Sequence, residues 1–337
     1  MSKWLITSDL QWDCQPNYST LLPSGITSRL QDISQCWTWL AKLAVKLKCE
    51  GIVVVGDIFD SRTTLDLSVL DAACRGFHWA KSAGLKLHVV VGNHDSYLRV
   101  PTLNSLQVFR GYAEVHDRPG VDEAMGFGFV PWTDDPAAFA ESVGRVAGEA
   151  RYLFAHVLLE GAVLGAKGGV PLSALQRQKF RHVFLGDVHA LTEMAANVLY
   201  VGAPMQHDYG DAGQERGVVI LDTEKDTMDF VVNTESPRFH VVVNDKLFGV
   251  RHGDFVRVKT DDVAVGRKAV AFAQQLTPWV ESEIVELPDV KPRLDVRSAQ
   301  DHKTALGRYC AFKGRTQCAA LIERGLSILE EARGVGK

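Results

Sequence analysis

The chain has 337 residues, 46% hydrophobic and 23% charged, with a formal net charge of −4. That length and apolar content suit one large domain plus a smaller one, and the acidic balance argues against a protein that coats nucleic acid over its whole surface. The sequence has no apolar run of about 18 residues and opens on "MSKWLITSDL" without a signal-peptide core, so a soluble cytoplasmic protein with no membrane contact is expected.

Strand-like runs then recur in chain order: "WLITSD", "GIVVVGD" at 51–57, "LKLHVVVGN" at 85–93, "GFGFVPW", "RYLFAH" at 151–156, "HVFLGD" at 182–187, "NVLYVG", "GVVILD" and "MDFVVN". Between the first two, Ile26, Leu30, Ile33, Trp37, Leu40, Ala44 and Leu47 recur every three or four positions, which predicts a helix over 26–48. Further helices are expected at 65–83, 134–148 and 171–178. The alternation implies an α/β layered core. After "NTESPRF" the grammar changes. Residues 238–296 read as a small α/β unit, with strands near "FVRVKT", "EIVEL" and "RLDVR" around a helix near 265–276. Residues 301–333 read as two helices broken near Gly314. The expected domains are therefore 1–236, 237–297 and 298–337.

Charge follows the same division. Residues 1–236 hold 20 Lys+Arg against 28 Asp+Glu, while 237–337 hold 17 against 13. The six cysteines (Cys14, Cys36, Cys49, Cys74, Cys310 and Cys318) form no CxxC pair and are expected to be free thiols.

Ligand-type residues gather where the apolar runs end: Asp9, Asp57, Asn93 and His94, His156, and Asp187 with His189. Adjacent strand ends in an α/β sheet converge, so these side chains can meet in one crevice. Three carboxylates, two imidazoles and the amide carbonyls of Gln11 and Asn93 suit two divalent cations. Such a pair activates water and stabilises the attacking and leaving oxygens of an in-line displacement at phosphorus. A single Asp at a strand end is more often a turn former or helix cap. The ordered set "SDLQ", "GDIFD", "GNHD", "AH" and "GDVH" is what separates this chain from coincidence.

On those motifs the sequence resembles the calcineurin-like metallophosphoesterases. The Phe59-Asp60 continuation and the "YVGAP" segment are similar to the SbcD-type DNA repair nucleases, and the overall length and the "RGVVILDTEKDTMDFV" hairpin to phage recombination members. The resemblance implies an α-β-β-α sandwich with a small α/β cap and C-terminal helices. It implies that Asp9, Gln11, Asp57 and His189 hold the first metal, and that Asp57, Asn93, His156 and Asp187 hold the second. His94 would face the scissile phosphate, with Asp95 either orienting it or acting as a turn residue. Gln11 and Asp187 stand where the family has histidine, which makes the set richer in oxygen and favours manganese, or magnesium, over zinc. The other reading is that Gln11 points away and the first metal is weak.

In the tail, Arg238, Lys246, Arg251, Arg257 and Lys259 form a patch suited to DNA phosphates, against a plain reading as solvated strand positions. Cys318, Leu321, Ile322, Leu326, Leu329 and Ala332 share a helical face that either packs on its own domain or, as the resemblance implies, docks on an SMC-like (SbcC-type) ATPase. The resemblance also implies a homodimer, through 65–83 or 98–110. The expected function is a two-metal DNA exonuclease and endonuclease in recombination and double-strand break repair. A phosphatase or cyclic-nucleotide phosphodiesterase, and an inactive metal-free scaffold, are the alternatives.

Overall fold

A computed structural model describes residues 2–98, 100–163, 168–243, 249–284, 302–312 and 319–334. The chain begins with β1 (Lys3–Thr7), α1 (Ser28–Lys46), β2 (Gly51–Val54), α2 (Leu67–Ser82) and β3 (Lys86–Val90). A hairpin of β4 (Ser96–Tyr97) and β5 (Val100–Asn104) follows, then β6 (Glu114–His116), β7 (Gly120–Asp122), β8 (Phe127–Val130), α3 (Pro136–Val146) and β9 (Tyr152–His156). Next come β10 (His182–Gly186), β11 (Thr192–Ala195), β12 (Val198–Tyr200), β13 (Gly217–Asp222) and β14 (Thr227–Val232). The chain continues through β15 (Phe239–Val243), β16 (Phe255–Thr260), α4 (Val263–Leu276), β17 (Trp279–Ile284), α5 (His302–Phe312) and α6 (Ala319–Gly334).

The strands form two six-stranded sheets, ordered β14-β13-β1-β2-β3-β6 and β11-β12-β10-β9-β8-β7. Their pattern of two explains the layers. Trp4, Ile6, Val53, Val55, Phe127, Phe129, Phe154 and Phe184 point between the sheets, while Leu5, Ile52 and Val54 point outward to α1 and α2. Burying each such side chain contributes roughly 1.5–3 kcal/mol. Helix α1 begins where the Thr27 hydroxyl accepts from the Leu30 N–H at 3.2 Å, and it buries Leu30, Ile33, Trp37, Leu40 and Ala44. The result is the expected α-β-β-α sandwich.

Strand direction positions the site. β1, β2 and β3 are parallel neighbours, so Asp9, Asp57 and Asn93 emerge together at one end. In the other sheet β9 and β10 are parallel with Gly186 opposite His156, which sets Asp187 beside that imidazole.

The helix expected over 171–178 is instead two 3₁₀ turns, Leu172–Leu175 and Arg177–Lys179, because Gln176 between them sits at φ 45. The strand expected at "EIVEL" begins earlier, at Trp279. "RLDVR", Gly314, Cys318 and Lys246 lie outside the described residues.

Met1–Thr260 with Ala264–Glu283 make one unit, and Asp261–Val263 with Ile284–Lys337 the other. The first includes the small sheet β15-β16-β17. Buried Arg29 of α1 fastens that sheet: it donates to the Gln206 carbonyl and lies 5.4 Å from the ring centroids of both Phe239 and Phe255. In the second unit α5 and α6 pack closely, and a Cβ on Gly325 would stand 3.0 Å from Leu306 Cδ1. Ile322 is half-buried and approaches Gly307, whereas Leu321 on the same helix is 49% exposed. Among the described residues no helix is long and apolar enough to cross a membrane.

Candidate metal centre

His156 shows most directly what the strand ends build. Its Nδ1–H donates to the Val55 carbonyl at 2.7 Å, which leaves Nε2 with a lone pair. Around Nε2 stand Asn93 Oδ1 at 2.9 Å, Asp57 Oδ1 at 3.5 Å and Asp187 Oδ1 at 3.6 Å. The same end of the Asn93 amide is 3.1 and 3.0 Å from the two Asp57 oxygens, and its other end is 2.8 Å from Arg62 Nη2. With its NH2 inward, the amide donates to Asp57 and His156 and accepts from Arg62. With its oxygen inward, it adds a further acceptor to the two carboxylates, an arrangement that a cation, or a proton on His156 Nε2, reconciles. The donor set predicted for the second metal is thus brought together and fits a divalent ion.

Asp9, predicted for the first metal, adjoins this same group. Asp9, Asp57 and His156 each offer a ligand atom within 4.8 Å of the others. The Asp9 carboxylate accepts from the Asp187 N–H at 3.3 Å. Gln11 is buried and points inward, with Nε2 3.3 Å from His189 Nε2. An amide turned about its terminal bond presents oxygen at that place, so Gln11 is positioned to serve as a ligand. His207, which the sequence reading did not single out, donates from Nε2 to the Asp9 carbonyl at 2.9 Å, and its ring centroid is 5.0 Å from that of His189.

The main chain is shaped for this convergence. Asp9, Gln11, Asp57 and Asp187 all sit at positive φ, 51, 48, 52 and 99, a region that side-chain-bearing residues rarely adopt and that clusters at functional sites. Gly92 is equally constrained, because a Cβ there would lie 2.2 Å from Asp57 Oδ1.

Burial pushes Asp9 up to about 6, assisted by the neighbouring Asp57 charge. Burial acts upward on Asp57 too, but the His156 imidazole outweighs it and holds the carboxyl below its ordinary range. For His156 burial acts downward, and the charge of Asp57, with Asp187 and Asp9, holds the ring well above its ordinary value. The cluster therefore concentrates negative potential at His156 Nε2.

His94 stands at the rim, 29% exposed, with Nδ1 hydrogen-bonded to the Asp60 carbonyl, 3.7 Å from the Asp60 carboxylate, and its N–H on Asp57 Oδ1 at 2.9 Å. Asp60 orients the ring. Asp95, expected either to orient that ring or to shape a turn, is buried, and its two oxygens accept the N–H groups of Ile58 (3.0 Å), Phe59 (3.2 Å) and Gly92 (3.0 Å). It ties the two motif loops together, the turn role left open in the sequence. Arg62, two residues beyond "GDIFD", is the other neighbour that the motifs did not mark.

The basic patch is largely paired. Arg257 donates to Glu281 from Nε (3.0 Å) and Nη2 (2.8 Å) and lies 3.9 Å from the Tyr209 ring centroid. Lys259 pairs with Glu283 at 2.7 Å. Arg251 pairs with Asp254 at 3.5 Å and donates to the Thr234 and Ser236 carbonyls. The Arg238 main-chain N–H donates to Asp254 at 2.9 Å.

Two sheets between helices, with strand-end motifs converging on one candidate metal centre, agree with the sandwich and the site that the resemblance to the calcineurin-like metallophosphoesterases implies. The chain is similar to exonuclease subunit 1 of Enterobacteria phage T4, 29% identical over 245 residues that cover 67% of this chain and 69% of that one. No family model matches. Solved structures that align with it include an archaeal phosphodiesterase (TM-score 0.37, 13% identity, 68% of this chain and 99% of that one). A dimetal phosphatase from Danio rerio (0.41, 10%, 65% and 91%) and the nuclease MPE of Pseudomonas putida (0.29, 14%, 64% and 83%) align as well.

Proposed function

We propose that the protein is a two-metal DNA exonuclease and endonuclease, the nuclease subunit of a complex with an SMC-like ATPase acting in recombination and double-strand break repair. The observation that carries this reading is the convergence of Asn93, Asp57, His156 and Asp187 on one point with His94 at its rim, in a chain similar to a phage exonuclease subunit. Five oxygen-bearing side chains against two imidazoles favour manganese, with magnesium as the second choice. When bound, the pair of ions supplies a nucleophile at neutral pH and charge stabilisation at phosphorus. His94, held through Nδ1 by Asp60, keeps Nε2 for the leaving oxygen as general acid.

Residues 237–297 serve as a cap along DNA, and 298–337 bind the ATPase through the exposed edge of α6. Exposed Leu67, Leu98 and Leu103 support a homodimer contact over 65–83 and 98–110.

The test is incubation with manganese and labelled duplex DNA, beside a small phosphate ester, using wild type and His94→Ala. DNA cleavage that His94→Ala abolishes while metal binding persists is the expected result. Ester cleavage without DNA cleavage would point to a phosphatase. Inertness towards both, even with the ATPase, would leave a scaffold.

A further inference from the structure

A second group of metal-ligand side chains lies on the same sheet, outside the catalytic centre. His88 on β3 precedes Asn93 by five residues, up to roughly 16 Å along the chain at about 3.3 Å per residue. His88 and His116, from neighbouring parallel strands, both lie over Phe129, with ring centroids 5.3 and 3.6 Å from it. His88 Nδ1 is 3.1 Å from His116 Nε2 and 3.6 Å from Glu114 Oε2, and one ligand atom from each residue lies within 4.8 Å of the others. Ligands about 2.0–2.2 Å from a tetrahedral zinc stand roughly 3.3 Å apart, so the spacing already matches. Access matches as well. A cavity of about 500 Å³, lined by His88, Glu114, Asp122, Arg110 and Tyr112, opens beside the group, and the Glu114 side chain is 62% exposed.

We propose that His88, Glu114 and His116 form a separate site for a borderline-soft divalent cation, zinc above all, with the cavity leaving room for a fourth ligand. The ring planes are nearly parallel, 9° apart, and in that setting one nitrogen donates to the other at 3.1 Å. Binding turns each ring on its Phe129 bed until the lone pairs converge, and it replaces that N–H···N bond. Two nitrogens and one oxygen select zinc where the oxygen-rich catalytic set selects manganese. The consequence is structural: the ion pins β6, the edge strand, to β3.

The experiment counts zinc after dialysis and follows cobalt uptake by its visible absorption. It compares wild type, Asp57→Asn/His156→Ala, Glu114→Gln and His116→Phe, with circular dichroism to establish folding. The expected result is one tightly held ion that survives loss of the catalytic ligands. Glu114→Gln, on an exposed side chain, should weaken it about tenfold or more. His116→Phe, which keeps the stack on Phe129, should lose it. If wild type holds no such ion, or if folded His116→Phe holds the same amount, the proposal is wrong and the pair is an imidazole–imidazole hydrogen bond only.

Discussion

Asp95 gathers three buried main-chain N–H groups from two loops. Removing it orphans all three, at about 1–3 kcal/mol each. Asp95→Ala is therefore expected to lower the melting temperature by many degrees and to weaken manganese binding, because Asp57 rides on one of those loops. Calorimetry and metal titration check both. At His156 a proton and a cation compete for the Nε2 lone pair, and the neighbouring carboxylates, Asp57 first, raise the ring's affinity for the proton against the opposing effect of burial. Manganese binding should release protons and weaken as pH falls. Titration calorimetry in buffers of different ionisation enthalpy measures the release, and a release of zero would contradict it. Gln11→His should raise zinc affinity at the first position, read by competition against manganese. The candidate ligands stand out in the sequence because each follows an apolar run, and the structure brings Asp57, Asn93, His156 and Asp187 together. The roles of Asp60, Arg62 and Asp95 were not legible. They depend on where the turns after "GDIFD" and "GNHD" aim, and no spacing rule encodes that.

At the scale of elements, the long β-branched runs declared themselves, since five or six alternating residues carry a clear period of two. β6 and β7 hold three residues each, too few for any period, whereas β12, just as short, showed itself within "NVLYVG". The helix expected over 171–178 failed at one residue, Gln176, whose left-handed backbone interrupts the i to i+4 ladder. Element packing also sets a strict limit at Gly92. Gly92→Ala would drive a methyl group into Asp57 Oδ1 and its main-chain nitrogen, 2.2 and 2.4 Å away. The expected outcome is loss of measurable manganese binding together with reduced stability, whereas Gly111→Ala, where nothing lies within 4 Å and φ is not positive, should leave metal binding unchanged.

For the whole molecule the sequence showed a basic tail but not its bookkeeping, because cross-strand partners far apart in sequence meet only once the small sheet forms. Arg257 and Lys259 are opposed by Glu281 and Glu283. If the cap lies along DNA, Glu281→Gln with Glu283→Gln frees two cations for phosphates. Duplex binding should then tighten at low salt, and its dependence on salt should steepen by up to about two units of slope. Unchanged binding would remove this face from the DNA path.

Asp9 and Gln11 hold their left-handed backbones through main-chain bonds, Asp9 N–H to the Gly56 carbonyl and Gln11 N–H to the Asp57 carbonyl, while the Asp187 N–H meets the Asp9 carboxylate. Strain of order 1–3 kcal/mol at each of these residues, and at Asp57, is offset by the packing of the sandwich. The left-handed conformation makes the centre intolerant of β-branched residues at these four positions, for reasons of backbone shape quite apart from ligand chemistry.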